Sequence, residues 1–113
     1  MKVIFKCICA ISCLAVLVLP EISQAMDAEA AKILAKHNNC LLCHGTDREK
    51  VGPAFHQIAA KYKGNAQAEA KLINHLTSGE PAKFPDGHTQ PHMIINTTDK
   101  AELKNLVDWI LSL

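Results

Sequence analysis

Two cysteines and a histidine stand close together in residues 38–53, NNCLLCHGTDREKVGP. Cys40 and Cys43 are three positions apart, and His44 follows directly. Two thiols and an imidazole at this spacing fit three kinds of chemistry: a zinc site, a thiol–disulfide redox pair, or the covalent attachment of haem. The surrounding elements and the compartment of the chain must discriminate among the three.

The motif itself favours haem. Redox-active Cys-x-x-Cys pairs usually begin a helix in a βαβ unit, where the helix N-terminus lowers a thiol pKa, whereas this pair follows a predicted helix. Zinc could take Cys40, Cys43 and a histidine of the GHTQPHM segment, but adjacent ligands such as Cys43 and His44 diverge around one tetrahedral ion. In haem attachment both thiols add to the vinyl groups, and the histidine that follows binds the iron.

Residues 1–25 have the composition of a secretory signal peptide. Two lysines precede an apolar run over residues 7–19, and Ser23 and Ala25 are the small residues that a cleavage site prefers. The run has 13 residues, whereas a helix that spans a bilayer needs roughly 20. We therefore expect cleavage after Ala25, a single domain over residues 26–113, a periplasmic location, and no membrane anchor in the mature chain.

Cleavage changes both the charge and the cysteine content. Removing Lys2, Lys6 and Glu21 from the twelve basic and eleven acidic residues leaves ten of each, so the mature chain is formally neutral. Nucleic-acid binding is therefore not expected, because it needs a basic excess. Of five cysteines only Cys40 and Cys43 remain. One local pair cannot join distant segments as a disulfide, so a domain this small needs the cysteines to hold something larger.

The pattern of apolar residues predicts an all-α fold of about four short helices. We expect a first helix that begins at the N-cap Asp27 and leads to the motif, and a short second helix from Phe55 to about Lys61. A third helix is expected to begin at the N-cap Asn65 and to end at Gly79. Asp99 with Glu102 marks the start of the last helix. Trp109 of that helix is expected in the core. His37, His56 and His75 fall on polar faces, and we expect them to be solvated.

Residues 80–97 lack any helical or strand period. Pro81, Pro85, Gly87 and Pro91 interrupt the segment, and we predict an irregular loop with no strand. A loop of this length in so small a domain tends to be functional. The helices have few large apolar residues, which indicates that a bulky apolar cofactor completes the core.

The stretch CLLCHGTDREKVGPAFHQIAAKYKG resembles the small class I c-type cytochromes of bacteria, of the cytochrome c-551 or c8 kind. The resemblance covers essentially all of residues 26–113. It implies a cytochrome c fold around one covalently bound haem c, with single-electron transport as the function. The residues that it assigns to the haem are Cys40, Cys43, His44, Pro53 and Met93.

On the proximal side, the resemblance implies that Cys40 and Cys43 hold the haem through thioethers. His44 would bind the iron, and the Pro53 carbonyl would accept a hydrogen bond from the His44 ring, which fixes the orientation and tautomer of the imidazole.

On the distal side, the resemblance assigns the sixth iron ligand to Met93, in the Pro-rich loop before the last helix. His88, His92 and an open site are the alternatives. Family members often have proline beside the distal methionine and a tryptophan earlier in the loop. Here Phe84 is the loop's aromatic residue and His92 directly precedes Met93.

A haem iron with both axial positions filled predicts an electron carrier and no enzyme activity. The expected partners are other redox proteins, and the expected state is a monomer or weak dimer. One alternative is a haem enzyme or ligand sensor with an open distal site. Another alternative is the dedicated electron-accepting subunit of a dehydrogenase. It is suggested by a loose likeness of DGHTQPHM and LVDWILSL to the cytochromes of periplasmic sulfite dehydrogenases. Five lysines are either ordinary surface charge or a rim that steers a negatively charged partner: Lys36, Lys50, Lys61, Lys63 and Lys83.

Overall fold

The computed structural model describes residues 24–113. Along this part of the chain the elements are α1 (Ala28–His37), α2 (Cys40–Cys43), α3 (Phe55–Tyr62), α4 (Ala68–Ser78), β1 (Pro81–Lys83), β2 (Thr89–Pro91) and α5 (Lys100–Leu111). The predicted all-α class is confirmed, with the motif forming a short helix of its own. The predicted signal peptide lies outside the described residues, apart from Gln24 and Ala25.

Side-chain caps fix where the two terminal helices begin. The Asp27 carboxylate accepts a hydrogen bond from the Ala30 N–H at 3.0 Å, and the Asp99 carboxylate accepts one from the Ala101 N–H at 2.8 Å. Both caps were predicted. The expectation for α4 was wrong at its start: the N-cap is Gln67, and the Asn65 side chain instead accepts from the Gln67 N–H at 2.9 Å. The helix begins later because residues 65–67 form a turn first.

The core lies around α5, which contacts α1, α3 and α4. Its buried members come from all four longer helices and from the segment before α5: Ala31, Ala35, Phe55, Leu72, Leu76, Ile95, Leu103, Leu106, Val107, Trp109 and Ile110. Trp109 is 4% exposed, as expected of a core residue. Small alanines on α1 let that helix approach α5 closely, and the larger side chains of the core come from the other helices and from Ile95.

The segment between α4 and α5 contains a short antiparallel hairpin. Strands β1 and β2 pair Pro81 with Pro91 and Lys83 with Thr89, and Gly87 takes φ +91° at the turn. The expectation of a segment without strands was therefore wrong. The prolines did not prevent pairing because Pro81 and Pro91 stand at the ends of their strands, where a missing N–H costs little.

The start of the domain is joined to its last helix. The Asn105 side chain accepts a hydrogen bond from the Asp27 N–H and donates one to the Asp27 carbonyl, both at 2.8 Å. This paired bond and the packing of α1 on α5 close the domain around its core. Within residues 24–113, no helix combines the length and hydropathy required to cross a membrane.

Candidate haem-binding site

The Cys-x-x-Cys pair occupies a separate helical turn, which begins where α1 has ended. Asn38 closes α1, its side-chain amide donating to the Leu34 carbonyl at 2.9 Å. Asn39 then takes a left-handed conformation with φ 57°, which Asn tolerates well. The redirected chain forms α2, in which Cys40 and Cys43 are three residues apart and so share one face. Both are free thiols and half-buried.

The environment of Cys40 does not suit a redox-active thiol. Burial raises the pKa of Cys40, and the backbone hydrogen bond of its own amide only partly opposes that effect. Thiol–disulfide catalysts work through a thiolate and need a lowered pKa. The burial of this thiol therefore disfavours the redox-pair interpretation. The reason differs from the one taken from the sequence, which expected the pair to follow a helix, whereas Cys40 begins α2.

His44 leaves α2 in an extended conformation and turns toward Pro53. Its ring Nδ1 donates a hydrogen bond to the Pro53 carbonyl at 2.7 Å. A neutral imidazole that donates through Nδ1 carries its lone pair on Nε2, the atom that is left to bind a metal. This contact between His44 and Pro53 is the one that the resemblance implied.

Gly52 is the residue that allows the His44 ring to occupy this position. A Cβ atom placed on Gly52 would lie 2.6 Å from Cε1 and 2.9 Å from Nδ1 of that ring. The Gly52 N–H also donates to the Cys43 carbonyl at 2.8 Å, so the loop backbone lies directly against the motif. The place of Gly52 beside the ring could not be inferred without the fold.

Phe55 connects the motif to the core. Its ring stacks on the His44 ring at a centroid distance of 5.4 Å and an interplanar angle of 17°. It also meets the edge of Trp109 at 5.5 Å. Sequence reasoning missed this role for Phe55, although its position two residues after Pro53 was a usable signal. Through this aromatic series the orientation of His44 depends on α5.

Met93 lies between two backbone hydrogen bonds that fix the distal segment. The His92 N–H donates to the Glu80 carbonyl at 3.1 Å, and the Ile95 N–H donates to the Leu76 carbonyl at 2.9 Å. Ile95 is buried in the core. Met93 itself is 59% exposed. The chain thus presents the methionine on a short stretch whose two ends are anchored.

His92 belongs to a cluster that sequence reasoning did not foresee. Its ring lies 4.2 Å from the His75 ring and 6.1 Å from the His44 ring, centroid to centroid. Burial lowers the pKa of His92, and the proximity of His75 lowers it further. His75 in turn contacts Glu80, with Nδ1 and Oε1 2.7 Å apart. The expectation of a solvated His75 was therefore wrong, because α4 turns it toward the distal segment.

The remaining histidines lie away from this cluster. His37 and His56 are exposed, as expected. His88 is on the hairpin, where its Nδ1 contacts the Asp86 carboxylate and its ring stacks on Phe84 at 4.5 Å. Among residues 24–113 no group of three or more His, Cys, Asp or Glu side chains is arranged to hold a metal ion. The zinc interpretation therefore lacks its further ligands.

The family model for cytochrome c matches residues 28–113. The chain belongs to the cytochrome c family. It is accordingly an electron-transport protein with one covalent haem c, attached through a Cys-x-x-Cys-His motif, and it has the required cysteines, Cys40 and Cys43. The resemblance to small class I c-type cytochromes and the expected cofactor are confirmed.

Relatives and solved structures agree with this assignment. Cytochrome c-551 of Pseudomonas aeruginosa is 33% identical over 91 residues, which cover 80% of this chain and 84% of that protein. Cytochrome c-552 of Nitrosomonas europaea is 38% identical over 86 residues, covering 76% and 81%. The crystal structure of the Class 1 cytochrome MtoD from Sideroxydans lithotrophicus ES-1 superposes with a TM-score of 0.75 at 60% identity, covering 78% of this chain and 97% of that one.

The residues around the motif fit a haem. Gly52 leaves room for the imidazole, and Nδ1 of that ring already has a carbonyl acceptor. Large apolar side chains are exposed on the motif helix, the following loop and the distal segment: Leu42, Val51, Met93 and Ile94. Apolar groups of this kind suit the faces and edges of a porphyrin, while a hydrophilic metal ion would gain nothing from them.

Proposed function

We propose that the chain is a periplasmic monohaem carrier that passes single electrons between redox proteins. In this proposal Cys40 and Cys43 hold the haem, His44 and Met93 bind its iron, and the Pro53 carbonyl orients His44. The observation that carries it is the hydrogen bond of 2.7 Å between His44 Nδ1 and the Pro53 carbonyl, with Gly52 against the same ring.

The haem, when attached, supplies the one-electron couple; the protein's own residues set the conditions for it. The His44 ring cannot rotate freely, since Phe55 stacks on one side and the Gly52 backbone lies close to it. The Pro53 carbonyl accepts a hydrogen bond from the Nδ1–H group of His44. The lone pair of the ring therefore stays on Nε2, which would bind the iron. A thioether from Met93 on the other side would keep the coordination the same in both oxidation states. Little reorganisation is then needed, which favours a carrier over catalysis at iron.

Residues 1–25 support the periplasmic part of the proposal, because their lysines, apolar run and small residues at 23 and 25 match a cleavable signal. The mass of the protein purified from a bacterial periplasm tests it: we expect a chain that begins at Met26 and carries one haem. A full-length chain would contradict both cleavage and the proposed domain boundary.

The partners of this carrier are proposed to be proteins with acidic docking surfaces. The five lysines that sequence analysis singled out are all exposed, although the Lys50 amine is also bonded to the Leu41 carbonyl at 2.6 Å. Charges of this kind raise the rate of encounter more than the affinity. A steep fall of the electron-transfer rate with ionic strength is expected, and a rate independent of salt would assign the lysines to ordinary surface charge.

The optical spectrum of the holoprotein, ferric and ferrous, with and without carbon monoxide, tests the ligands. We expect low-spin iron, a weak far-red band from sulfur bound to ferric iron, and no reaction with carbon monoxide. The band should be absent in Met93→Ala. An unmodified protein with high-spin iron that binds carbon monoxide would instead indicate the open distal site of a haem enzyme or sensor.

A further inference from the structure

The two histidines on either side of the site are held in the same chemical form. His44 Nδ1 donates to the Pro53 carbonyl at 2.7 Å, and His92 Nδ1 donates to the Met93 carbonyl at 2.8 Å. Each ring therefore keeps its lone pair on Nε2, the form in which imidazole binds a metal.

The distance between the two rings is also informative. Their centroids are 6.1 Å apart, with planes inclined by 43°. Metal–imidazole bonds are about 2 Å long, so two imidazoles on opposite sides of one metal have ring centres roughly 6 Å apart. The separation of the His44 and His92 rings is thus the one expected of two imidazoles that bind one metal ion.

Other side chains hold the His92 ring where it is. The His75 ring lies against it at 4.2 Å. Glu80 fixes His75 through one carboxylate oxygen at 2.7 Å and accepts from the Asn74 amide through the other at 3.0 Å. His88, the other histidine of the distal segment, is bonded to Asp86 on the hairpin. Of the two histidines in the distal segment, His92 is therefore the one whose ring is held near His44, and it directly precedes Met93 in the chain.

We propose that His92 is a second distal ligand, which exchanges with Met93 at the sixth position of the iron. The inference rests on the proposed carrier function, with His44 as the constant ligand. One state has sulfur from Met93 and the other has nitrogen from His92. Because imidazole in place of a thioether lowers the reduction potential, the exchange gives the same protein two driving forces for electron transfer.

The test uses holoprotein matured in a bacterial periplasm and the substitution Met93→Leu, which removes the sulfur and conserves most of the volume. We expect Met93→Leu to stay low-spin by absorption and electron paramagnetic resonance, to resist carbon monoxide, and to have a lower potential than the unmodified protein. Adding His92→Ala should convert the iron to a high-spin form that binds carbon monoxide. Adding His88→Ala instead, as the matched control in the same segment, should leave it low-spin.

High-spin iron in Met93→Leu would overturn the exchange, and so would low-spin iron that survives the addition of His92→Ala. If Met93→Leu does not accumulate, Met93→Ala provides the same comparison with a smaller apolar side chain. The proposed function is judged separately, on the sulfur band of the unmodified protein. Absence of that band contradicts Met93 as a ligand and overturns the exchange with it, whereas the band together with high-spin Met93→Leu contradicts the exchange alone.

Discussion

The proximal loop, residues 44–56, and the distal segment, residues 80–97, are held by different kinds of contact. In the proximal loop the N–H groups of Gly52, Phe55 and His56 donate to carbonyls of residues 43–46 at 2.8–3.1 Å. In the distal segment the hairpin strands bond to each other, and the anchors to the helices lie near its two ends. The proximal loop is thus bonded to the motif and across its own two halves, whereas the distal segment is attached to the helices mainly at its ends.

This difference predicts that His44 and Met93, the two proposed axial ligands, tolerate displacement to different extents. The His44 ring is surrounded by Phe55, the Gly52 backbone and the Pro53 carbonyl, so any displacement disturbs several contacts at once. Met93 is exposed and lies between two fixed points. We infer that the proximal ligand defines the site and that the distal ligand adjusts its potential.

The largest expected effect comes from removing the proximal imidazole. His44→Ala should lower the yield of haem-bearing protein by roughly tenfold or more, since even loss of a group that orients a ligand weakens metal sites by such factors. Met93→Ala should still accumulate. Haem staining and absorption of periplasmic extracts measure both. Equal losses for the two variants would contradict the asymmetry of the two regions.

Gly52→Ala should disturb the proximal side without removing a ligand. The new methyl group would lie 2.6 Å from Cε1 of His44, so either the ring or the loop must move, at a cost of about 1–3 kcal/mol. We expect a lower denaturant midpoint and a changed electron paramagnetic resonance spectrum.

Pro53→Ala is the matched control for that substitution. It keeps the backbone carbonyl that His44 uses, so the spectrum should be unchanged while stability falls by about 0.4–1 kcal/mol from the freer unfolded chain. A spectrum altered in Pro53→Ala and unaltered in Gly52→Ala would refute the assigned roles.

Asn38 joins the end of α1 to the distal segment and offers a third test. The side-chain NH2 group of Asn38 donates to the Leu34 carbonyl at 2.9 Å, and the side-chain oxygen Oδ1 accepts from the Asn96 N–H at 2.7 Å. Asn38→Ala should cost about 1–2 kcal/mol for the two lost hydrogen bonds, and it should loosen the distal segment. Asn38→Asp retains an acceptor for Asn96 and should preserve the sulfur band better. For both variants, the absorbance of the far-red band is followed while the protein is heated. Loss of the band at the same temperature in the two variants would contradict the link between Asn38 and the distal segment.

Gly87→Ala should have the smallest effect on the haem. Its φ of +91° is unfavourable for any residue with a Cβ, so a cost of about 1 kcal/mol is expected. No atom lies within 4 Å of the added methyl group, so we expect the strain to stay within the exposed hairpin turn. Voltammetry should give an unchanged potential. A shifted potential would mean that the hairpin and the iron ligands are coupled.

The amphipathic helices could be predicted from the sequence because their signals are local. Asp27 and Asp99 cap the helices that follow, and Gly79 ends α4 with φ 67°. The hairpin was missed because its pairing joins residues six to ten positions apart, and the three prolines argue against strands when each is considered alone. Proline at the end of a short strand violates no rule, but that position is visible only once the partner strand is known.

The site shows the same limit. The spacing of Cys40, Cys43 and His44 is a local signal with its own chemistry, and it led directly to haem. The contact of Phe55 with His44 and the cluster of His75, Glu80 and His92 depend on how α3 and α4 are placed against α5. No periodicity or spacing in the chain encodes that placement, so a solvated His75 was the natural but incorrect expectation.

The paired hydrogen bonds between Asp27 and Asn105 bring the first turn of the domain to the middle of its last helix. The helix continues for six residues to Leu111, about 9 Å of axial rise, so a linker of a few residues could join the two ends. Reopening the chain at the exposed hairpin turn would then give a circular permutant. In that molecule Met93 would precede Cys40 in the order of synthesis, so the distal segment would be made before the Cys-x-x-Cys-His motif.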